Sequence, residues 1–244
     1  MIALRNMLFV AALAGLAAGV VMTAMQVFAT VPLILEAEAF EKAAPAEPAA
    51  GNDHAVGAVA AGHDEAEAWA PADGFQRMSL TAIANLATAI GFGLLLVAAS
   101  EFAGGIRGWR AGLVWGLAGF ATFTLAPGLG LPPGMPGIPA ADLGPRQAWW
   151  LACAGMTGAG LALIAFARSF GLALVGGLLL VVPHLIGAPQ PPATDSPVPA
   201  ALHQSFVVAV TTTNLVFWLL LGAAVSVIRP RFAADLDSGQ PRLA

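Results

Sequence analysis

Long uncharged stretches alternate with short charged segments along this chain. Six of these stretches are long enough to cross a membrane, because a transmembrane helix needs about 20 apolar residues. We place the spans near residues 7–31, 78–100, 111–130, 148–167, 169–187 and 204–228. These windows are dense in Ala, Leu, Gly and Val and lack the two-residue alternation of a barrel strand. The pattern predicts an all-α, polytopic transmembrane helix bundle of about six spans in a single membrane domain.

The overall composition leads to the same class of protein. Of the 244 residues, 58% are hydrophobic and only 10% are charged, and the mean hydropathy is +0.80. A soluble domain carries about 25% charged residues. The bilayer must therefore be the solvent for most of this chain. The first apolar run is longer than the core of a signal peptide, so we interpret it as an anchor. The alternative is a signal peptide that starts with Arg5 and is cleaved near Ala37-Glu38-Ala39.

The basic residues sort to one side of a chain that crosses the membrane six times. One side holds only Lys42, Arg77 and Arg146, and the other holds Arg5, Arg107, Arg110, Arg168, Arg229, Arg231 and Arg242. By the positive-inside rule the second side is cytoplasmic, which predicts that both termini lie inside. All acidic residues except Glu101, Asp235 and Asp237 fall on the opposite side, so the outer face is predicted to be acidic.

Two segments outside the predicted spans have unusual compositions. Residues 40–68 are rich in Ala, Glu, Pro and Gly and predict a mobile acidic outer loop, because they can bury little apolar surface. Residues 126–137 are too apolar for an exposed linker and too rich in Pro and Gly for a helix. Irregular backbone at membrane depth is tolerated only against protein or a wet cavity. We therefore expect a re-entrant or interface-hugging segment there.

Two pairs of glycines have the spacing that favours close helix packing. Gly15 and Gly19 lie one turn apart in the first span, and Gly112 and Gly116 do so in the third. Small residues at this spacing let two helix backbones approach each other. We expect both pairs to pack within this subunit, and a dimer face is the alternative.

The chain lacks the common catalytic and nucleotide-binding motifs. Its one lysine, Lys42, stands in the predicted outer loop, so a GxxxxGK(S/T) phosphate loop is impossible. Neither HExxH nor GxSxG occurs, and no basic stripe suits nucleic acid. We therefore predict that the protein is not an enzyme and binds no nucleotide, nucleic acid or cofactor.

His184 is the strongest candidate for metal chemistry. It follows Pro183 in an apolar run near the predicted outer end of the fifth span. An imidazole is a good ligand for borderline divalent metals such as cobalt, nickel and zinc, and in apolar surroundings it is costly without a partner. The alternative is a structural histidine that hydrogen-bonds to a backbone carbonyl freed by Pro183.

Three further candidate ligands lie at predicted outer ends of spans. His203 opens the sixth span, and Glu36 and Glu38 follow the first. These ends can converge with His184 on a vestibule for a metal ion. The alternative is a solvated rim with ordinary helix caps.

The outer loop and the membrane interior offer weaker ligands. His54 and His63 stand beside acidic residues in the predicted loop, and together these residues can raise the local cation concentration. The alternative is a disordered acidic segment that only connects two spans.

No carboxylate or lysine lies at mid-depth in the predicted spans, so a permeating cation must meet neutral groups there. The neutral candidates are Met22, Met25, Gln26, Asn85 and Asn214. The two asparagines can instead bond only between helices.

Five sequence strings, in this order and spacing, carry a family resemblance. They are VPLILEAE at 31–38, the segment 69–77 with Trp69, Pro71, Asp73, Gly74 and Arg77, APGLGLPP at 126–133, RQAWW at 146–150 and PHLIGAP at 183–189. Together they resemble the CbtA family of predicted cobalt transporter subunits. The resemblance implies uptake of Co²⁺ across the bacterial inner membrane, linked to cobalamin synthesis, and a small single-span partner subunit, CbtB. The family is usually described with about five spans, whereas the charge sorting here favours six.

Two classes of function are compatible with the sequence. The leading hypothesis is a multi-pass subunit of a transporter for cobalt or another divalent transition-metal cation. The acidic outer face, His184 and the family resemblance favour it. The alternative is a non-transporting scaffold or assembly subunit that binds a partner helix, which the Gly-rich spans also fit.

Overall fold

The computed structural model describes residues 2–43, 71, 74–191 and 194–232. Within these residues the chain forms helices and connecting segments and no β-strand. Its α-helices are α1 (Ile2–Ala29), α2 (Val31–Ala43), α3 (Phe75–Phe102), α4 (Trp109–Phe120), α5 (Ala126–Gly130), α6 (Leu143–Phe166), α7 (Phe170–Ile186) and α8 (Ala200–Ile228). A π-helical turn, Ala121–Leu125, joins α4 to α5, and a 3-10 turn, Arg229–Phe232, ends α8.

The helix lengths fit a protein that crosses a membrane several times. Five helical segments are long and apolar enough to span it, namely Leu4–Ala29, Phe75–Phe102, Trp109–Gly130, Leu143–Phe166 and Ala200–Phe232. α7 is also apolar but has only 17 residues. It therefore reaches about 26 Å, slightly less than a hydrocarbon core of about 30 Å. The predicted all-α membrane bundle is confirmed. Together with the shorter α7, the described residues contain six apolar helical segments, in agreement with about six predicted spans.

α1, α3, α4 and α8 pack together as the core of the bundle. Its centre is Trp218 on α8, which is buried against Phe92 of α3 and Phe123 of the π-helical turn. The rings of Phe123 and Trp218 stack with their centroids 5.6 Å apart. Lipid tails are as apolar as these side chains, so close packing rather than escape from water stabilises this arrangement.

Glycines let the helices of this core approach one another. A Cβ atom at Gly112 would meet the carbonyl oxygen of Gly222 on α8, and a Cβ atom at Gly15 would meet the backbone of α3. Gly19 and Gly116 face α3 and α8 in the same way. Both predicted glycine pairs therefore pack within the subunit, which confirms that expectation.

α6 and α7 form a hairpin beside the core. Gly160 and Gly176 meet at its centre, where a Cβ atom on either would lie 2.7 Å from the other's carbonyl oxygen. The hairpin contacts the rest of the bundle mainly through the π-helical turn and α5. One face of α7, which includes Leu174, Leu178 and Val181, is consequently exposed.

The expectation that residues 126–137 avoid helix is wrong for their first part. α5 continues the third span by one turn, with Pro127 inside it. The backbone N–H of Ala126 donates a hydrogen bond to the carbonyl of Ala121, five residues earlier. This wider turn provides space directly before Pro127, which has no N–H to donate. After α5 the backbone is irregular and packs against protein, as expected, with Met135 buried.

α2 is a helix that the sequence analysis did not predict. It follows α1 at Thr30 and includes residues 40–43, the start of the predicted loop, whereas residues 44–68 of that loop lie outside the described residues. Ala37 of α2 packs in a second apolar cluster with Met135 and Phe206. We call the end of the bundle that carries this cluster the outer end, and the opposite one the inner end.

The two ends of the described chain meet at the inner end of the bundle. α1 contacts the 3-10 turn that follows α8, and Arg229 in that turn pairs with Glu101 near the end of α3. A chain that crosses the membrane an even number of times must begin and end on the same side. The position of the two ends therefore agrees with the predicted location of both termini on one side of the membrane.

Candidate functional site

His184 lies in the last turn of α7, directly after the buried Pro183. Its ring meets the ring of Trp149 on α6 edge-to-face, with 6.1 Å between centroids. The carbonyl of Pro183 accepts hydrogen bonds from the Trp149 indole at 3.3 Å and from the backbone N–H of Gly187 at 3.1 Å. Among the described residues, the His184 imidazole makes no hydrogen bond to a backbone carbonyl. If His184 has a structural role, that role is therefore the ring contact with Trp149 and not the expected hydrogen bond to a backbone carbonyl.

His203 lies in the first turn of α8 and lines a groove at the outer end. The groove has a volume of about 640 Å³ and is also lined by Arg146 and Trp150 of α6. No aspartate or glutamate is among the described residues that line it. His203 thus shares its surroundings with a cationic side chain rather than with acidic ones.

The two predicted acidic ligands have different environments on α2. Glu36 is exposed. The carboxylate of Glu38 accepts hydrogen bonds from both terminal nitrogens of Arg77 at the start of α3, one of them at 3.3 Å. Arg77 therefore neutralises Glu38 and ties α2 to α3 at the outer end.

The described residues do not assemble the predicted vestibule. Nowhere among them do three or more His, Cys, Asp or Glu side chains lie close enough to hold a metal ion. His184, His203, Glu36 and Glu38 therefore form no cluster of their own, and His54 and His63 lie outside the described residues. Metal binding by any of these six residues stays a prediction.

A polar cluster joins α1 and α3 inside the membrane-spanning part of the bundle. The amide nitrogen of Asn85 donates to the side-chain oxygen of Gln26 at 2.6 Å and to the hydroxyl of Thr23 at 3.2 Å. At 1.5 Å per residue, Asn85 lies about 12 Å along α3 from Arg77 and about 24 Å from Glu101. The cluster is therefore about one third of the way in from the outer end.

Sequence reasoning named only part of this cluster. It proposed Gln26 and Asn85 as separate neutral ligands and missed Thr23, because the rotation of α1 against α3 decides which side chains meet. Asn214 instead donates to the carbonyl of Val210 within its own helix, at 2.9 Å. Of the three amide candidates, Gln26 and Asn85 thus belong to an interhelical cluster, whereas Asn214 bonds within its own helix.

The inner end holds a buried ion pair that sequence reasoning also missed. Arg229 is 2% exposed and donates to the carboxylate of Glu101 from Nε at 2.6 Å and from Nη2 at 2.9 Å. Gly105 has a positive φ of 78°, and a Cβ atom there would collide with the guanidinium. The sequence could have indicated this pair, because Glu101 and Arg229 carry opposite charges and each follows the inner end of a predicted span.

Comparison with known proteins adds one strong match. The profile of the family described as "Probable cobalt transporter subunit (CbtA)" matches residues 4–229. The match therefore covers nearly all of the described membrane-spanning segments, together with the polar cluster and both ion pairs described above. No curated protein and no solved structure matches the chain.

Proposed function

Because the chain belongs to the CbtA family, we propose that it is the integral membrane subunit of a transporter that takes up cobalt across the bacterial inner membrane. The supporting observation is the family match over residues 4–229, which coincides with a bundle of membrane-spanning helices. The proposal extends to related divalent transition-metal ions, since cobalt and nickel differ little in their preference for imidazole and oxygen ligands.

The charges at the outer end support cation capture. α2 carries Glu36, Glu38 and Glu41, and of these Glu36 and Glu41 are exposed. Exposed carboxylates raise the local concentration of a divalent cation. Under this proposal, His184 and the loop residues His54 and His63 contribute imidazole ligands along the approach.

The cluster of Thr23, Gln26 and Asn85 supports a neutral passage inside the membrane. It holds polar side chains at a depth where the described spans carry no Asp, Glu or Lys. The side-chain oxygen of Asn85 receives no hydrogen bond from the described residues, so it remains available to a cation. Oxygen ligands of this kind offset part of the cost of removing water from the ion.

A partner subunit follows from the family description, which names a transporter subunit. We propose a small single-span subunit, CbtB, in this role.

The second candidate function is a scaffold that binds a partner helix without transporting a metal ion, and the position of α7 favours it. That helix lies at the side of the bundle and exposes Leu174, Leu178 and Val181.

Uptake of radiolabelled cobalt separates the two functions. Cells that make this chain, the partner or both are compared with cells that make neither, at matched membrane levels of each protein. Uptake above background that requires this chain supports transport. A chain that co-purifies with the partner but adds nothing to uptake supports the scaffold function instead.

A further inference from the structure

The groove that His203 lines has the features of a binding site that the transport of a cation does not explain. It lies between the irregular segment after α5, the first turns of α6 and the segment after α7. Its volume of about 640 Å³ is typical of pockets for organic ligands, which measure roughly 300–1,000 Å³. Most of its lining is proline, alanine and aliphatic side chains, and Arg146 is its charged group.

Arg146 has an incomplete set of partners. Its Nε atom is buried and has no hydrogen-bond acceptor among the described residues. Asp142 stands one turn earlier in the chain but makes no ion pair with Arg146 in the structure. The guanidinium therefore has no counter-charge among the described residues, and an anion bound in the groove that Arg146 lines would supply one.

The surroundings of Arg146 favour an anion that carries an apolar body. Leu151 lines the same groove and is 65% exposed, so the groove opens toward the lipid-facing side of α6. Trp150 also lines it, and tryptophan is enriched where the membrane meets water. A free anion would leave the apolar part of the groove in contact with water.

We propose that this groove binds the phosphate of an anionic phospholipid, with Arg146 as its main ligand and an acyl chain along Leu151. A guanidinium matches the geometry of phosphate oxygens. The described lining contains no carboxylate to pair with the ammonium group of a zwitterionic lipid, so an anionic headgroup is preferred. The same positive charge makes the groove a poor entrance for Co²⁺.

The test measures lipid retained by the full-length protein after purification in detergent, by native mass spectrometry. The protein is incubated with phosphatidylglycerol, with phosphatidylethanolamine or with inorganic phosphate. Arg146→Gln removes the guanidinium, and Arg168→Gln removes an exposed arginine at the inner end of the same hairpin as a matched control. Loss of a charge-assisted hydrogen bond should lower phosphatidylglycerol affinity roughly tenfold or more in Arg146→Gln alone.

Several outcomes would overturn the proposal. They are equal phosphatidylglycerol binding by Arg146→Gln and Arg168→Gln, phosphatidylethanolamine binding by the unaltered protein as tight as its phosphatidylglycerol binding, and inorganic phosphate binding as tight as that of phosphatidylglycerol. If Arg146→Gln does not fold, a photoactivatable phosphatidylglycerol is cross-linked to the unaltered protein. Cross-links near Leu151 support the site, and cross-links confined to other helices contradict it.

Discussion

Arg229 and Glu101 form a two-point ion pair across 128 residues of sequence, with nitrogen–oxygen distances of 2.6 and 2.9 Å. Both side chains are largely removed from water, at 3% and 13% exposure. The pair fixes the inner end of α3 to the end of α8. It therefore adds a polar contact between two helices that also meet in the core, where Phe92 of α3 packs against Trp218 of α8.

Removing one partner of this pair should destabilise the protein strongly. Glu101→Gln removes the carboxylate that Arg229 binds at two points, and breaking a buried ion pair costs about 3–5 kcal/mol. Thermal unfolding in detergent should show a clearly lower Tm for Glu101→Gln and for Arg229→Ala. Arg231→Ala, at an exposed position two residues later, serves as the control and should leave the Tm nearly unchanged. Equal Tm values for Arg229→Ala and Arg231→Ala would contradict this role.

Gly105 and Gly108 provide a matched pair for testing the guanidinium site. Both have positive φ, 78° and 84°, so an alanine at either position is strained. Only at Gly105 would the added Cβ atom also collide with Arg229, whereas the space at Gly108 is open. We expect Gly105→Ala to be less stable than Gly108→Ala by about 1–3 kcal/mol, the usual cost of overpacking. Denaturant unfolding of the two variants side by side measures the difference in their free energies of unfolding. Equal values would show that glycine is required at position 105 only for its positive φ.

The close approach of α4 and α8 predicts opposite effects of the same substitution at two helical glycines. At Gly112 an added Cβ atom meets the backbone of Gly222, whereas at Gly91 it meets nothing. Gly91→Ala should stabilise slightly, because alanine favours helix over glycine by about 1 kcal/mol. Gly112→Ala should lower the Tm and the yield of folded protein. A neutral Gly112→Ala would mean that α4 and α8 are farther apart than described.

The interhelical cluster predicts that Asn85 matters for uptake and Asn214 does not. Asn85→Ala removes the amide that joins Thr23 and Gln26, together with the free side-chain oxygen. Interhelical hydrogen bonds of this kind contribute only about 0.6 kcal/mol on average, so the protein should still accumulate in the membrane. Cobalt uptake at matched protein level should fall several-fold for Asn85→Ala and remain normal for Asn214→Ala. Normal uptake by both would remove the cluster from the proposed passage.

His184 can be tested with substitutions that separate its ring from its nitrogens. Phenylalanine keeps an aromatic edge against Trp149 but cannot ligate a metal, and glutamine is a poorer ligand for a borderline metal than imidazole. If His184 is a ligand, both His184→Phe and His184→Gln should lose cobalt binding by about tenfold or more, equivalent to 1.4 kcal/mol for each factor of ten. Binding of cobalt to the purified protein and uptake by cells are both measured. Near-normal values for His184→Phe would leave His184 with a packing role only.

The sequence by itself determined the membrane class, the approximate spans and the glycine pairs. These features depend on distributions along the chain. A charge-free run of sufficient length can cross the hydrocarbon core, and a charge within it is costly. The spacing of Gly112 and Gly116 is likewise local, so their face could be predicted before its partner, Gly222, was known.

Only the tertiary structure decided which polar residues meet. Whether Asn85 faces Gln26, or Arg229 faces Glu101, depends on how each helix is rotated and shifted against its neighbour, and no local pattern encodes that. The helical state of Pro127 depends in the same way on a π-helical turn that provides the space before it. The polar contacts of a membrane bundle are few and non-local. For that reason the ligands inferred from sequence remained separate candidates. The structure joined Asn85 with Gln26, but among the described residues it placed no candidate His or Glu in a group of three or more possible metal ligands.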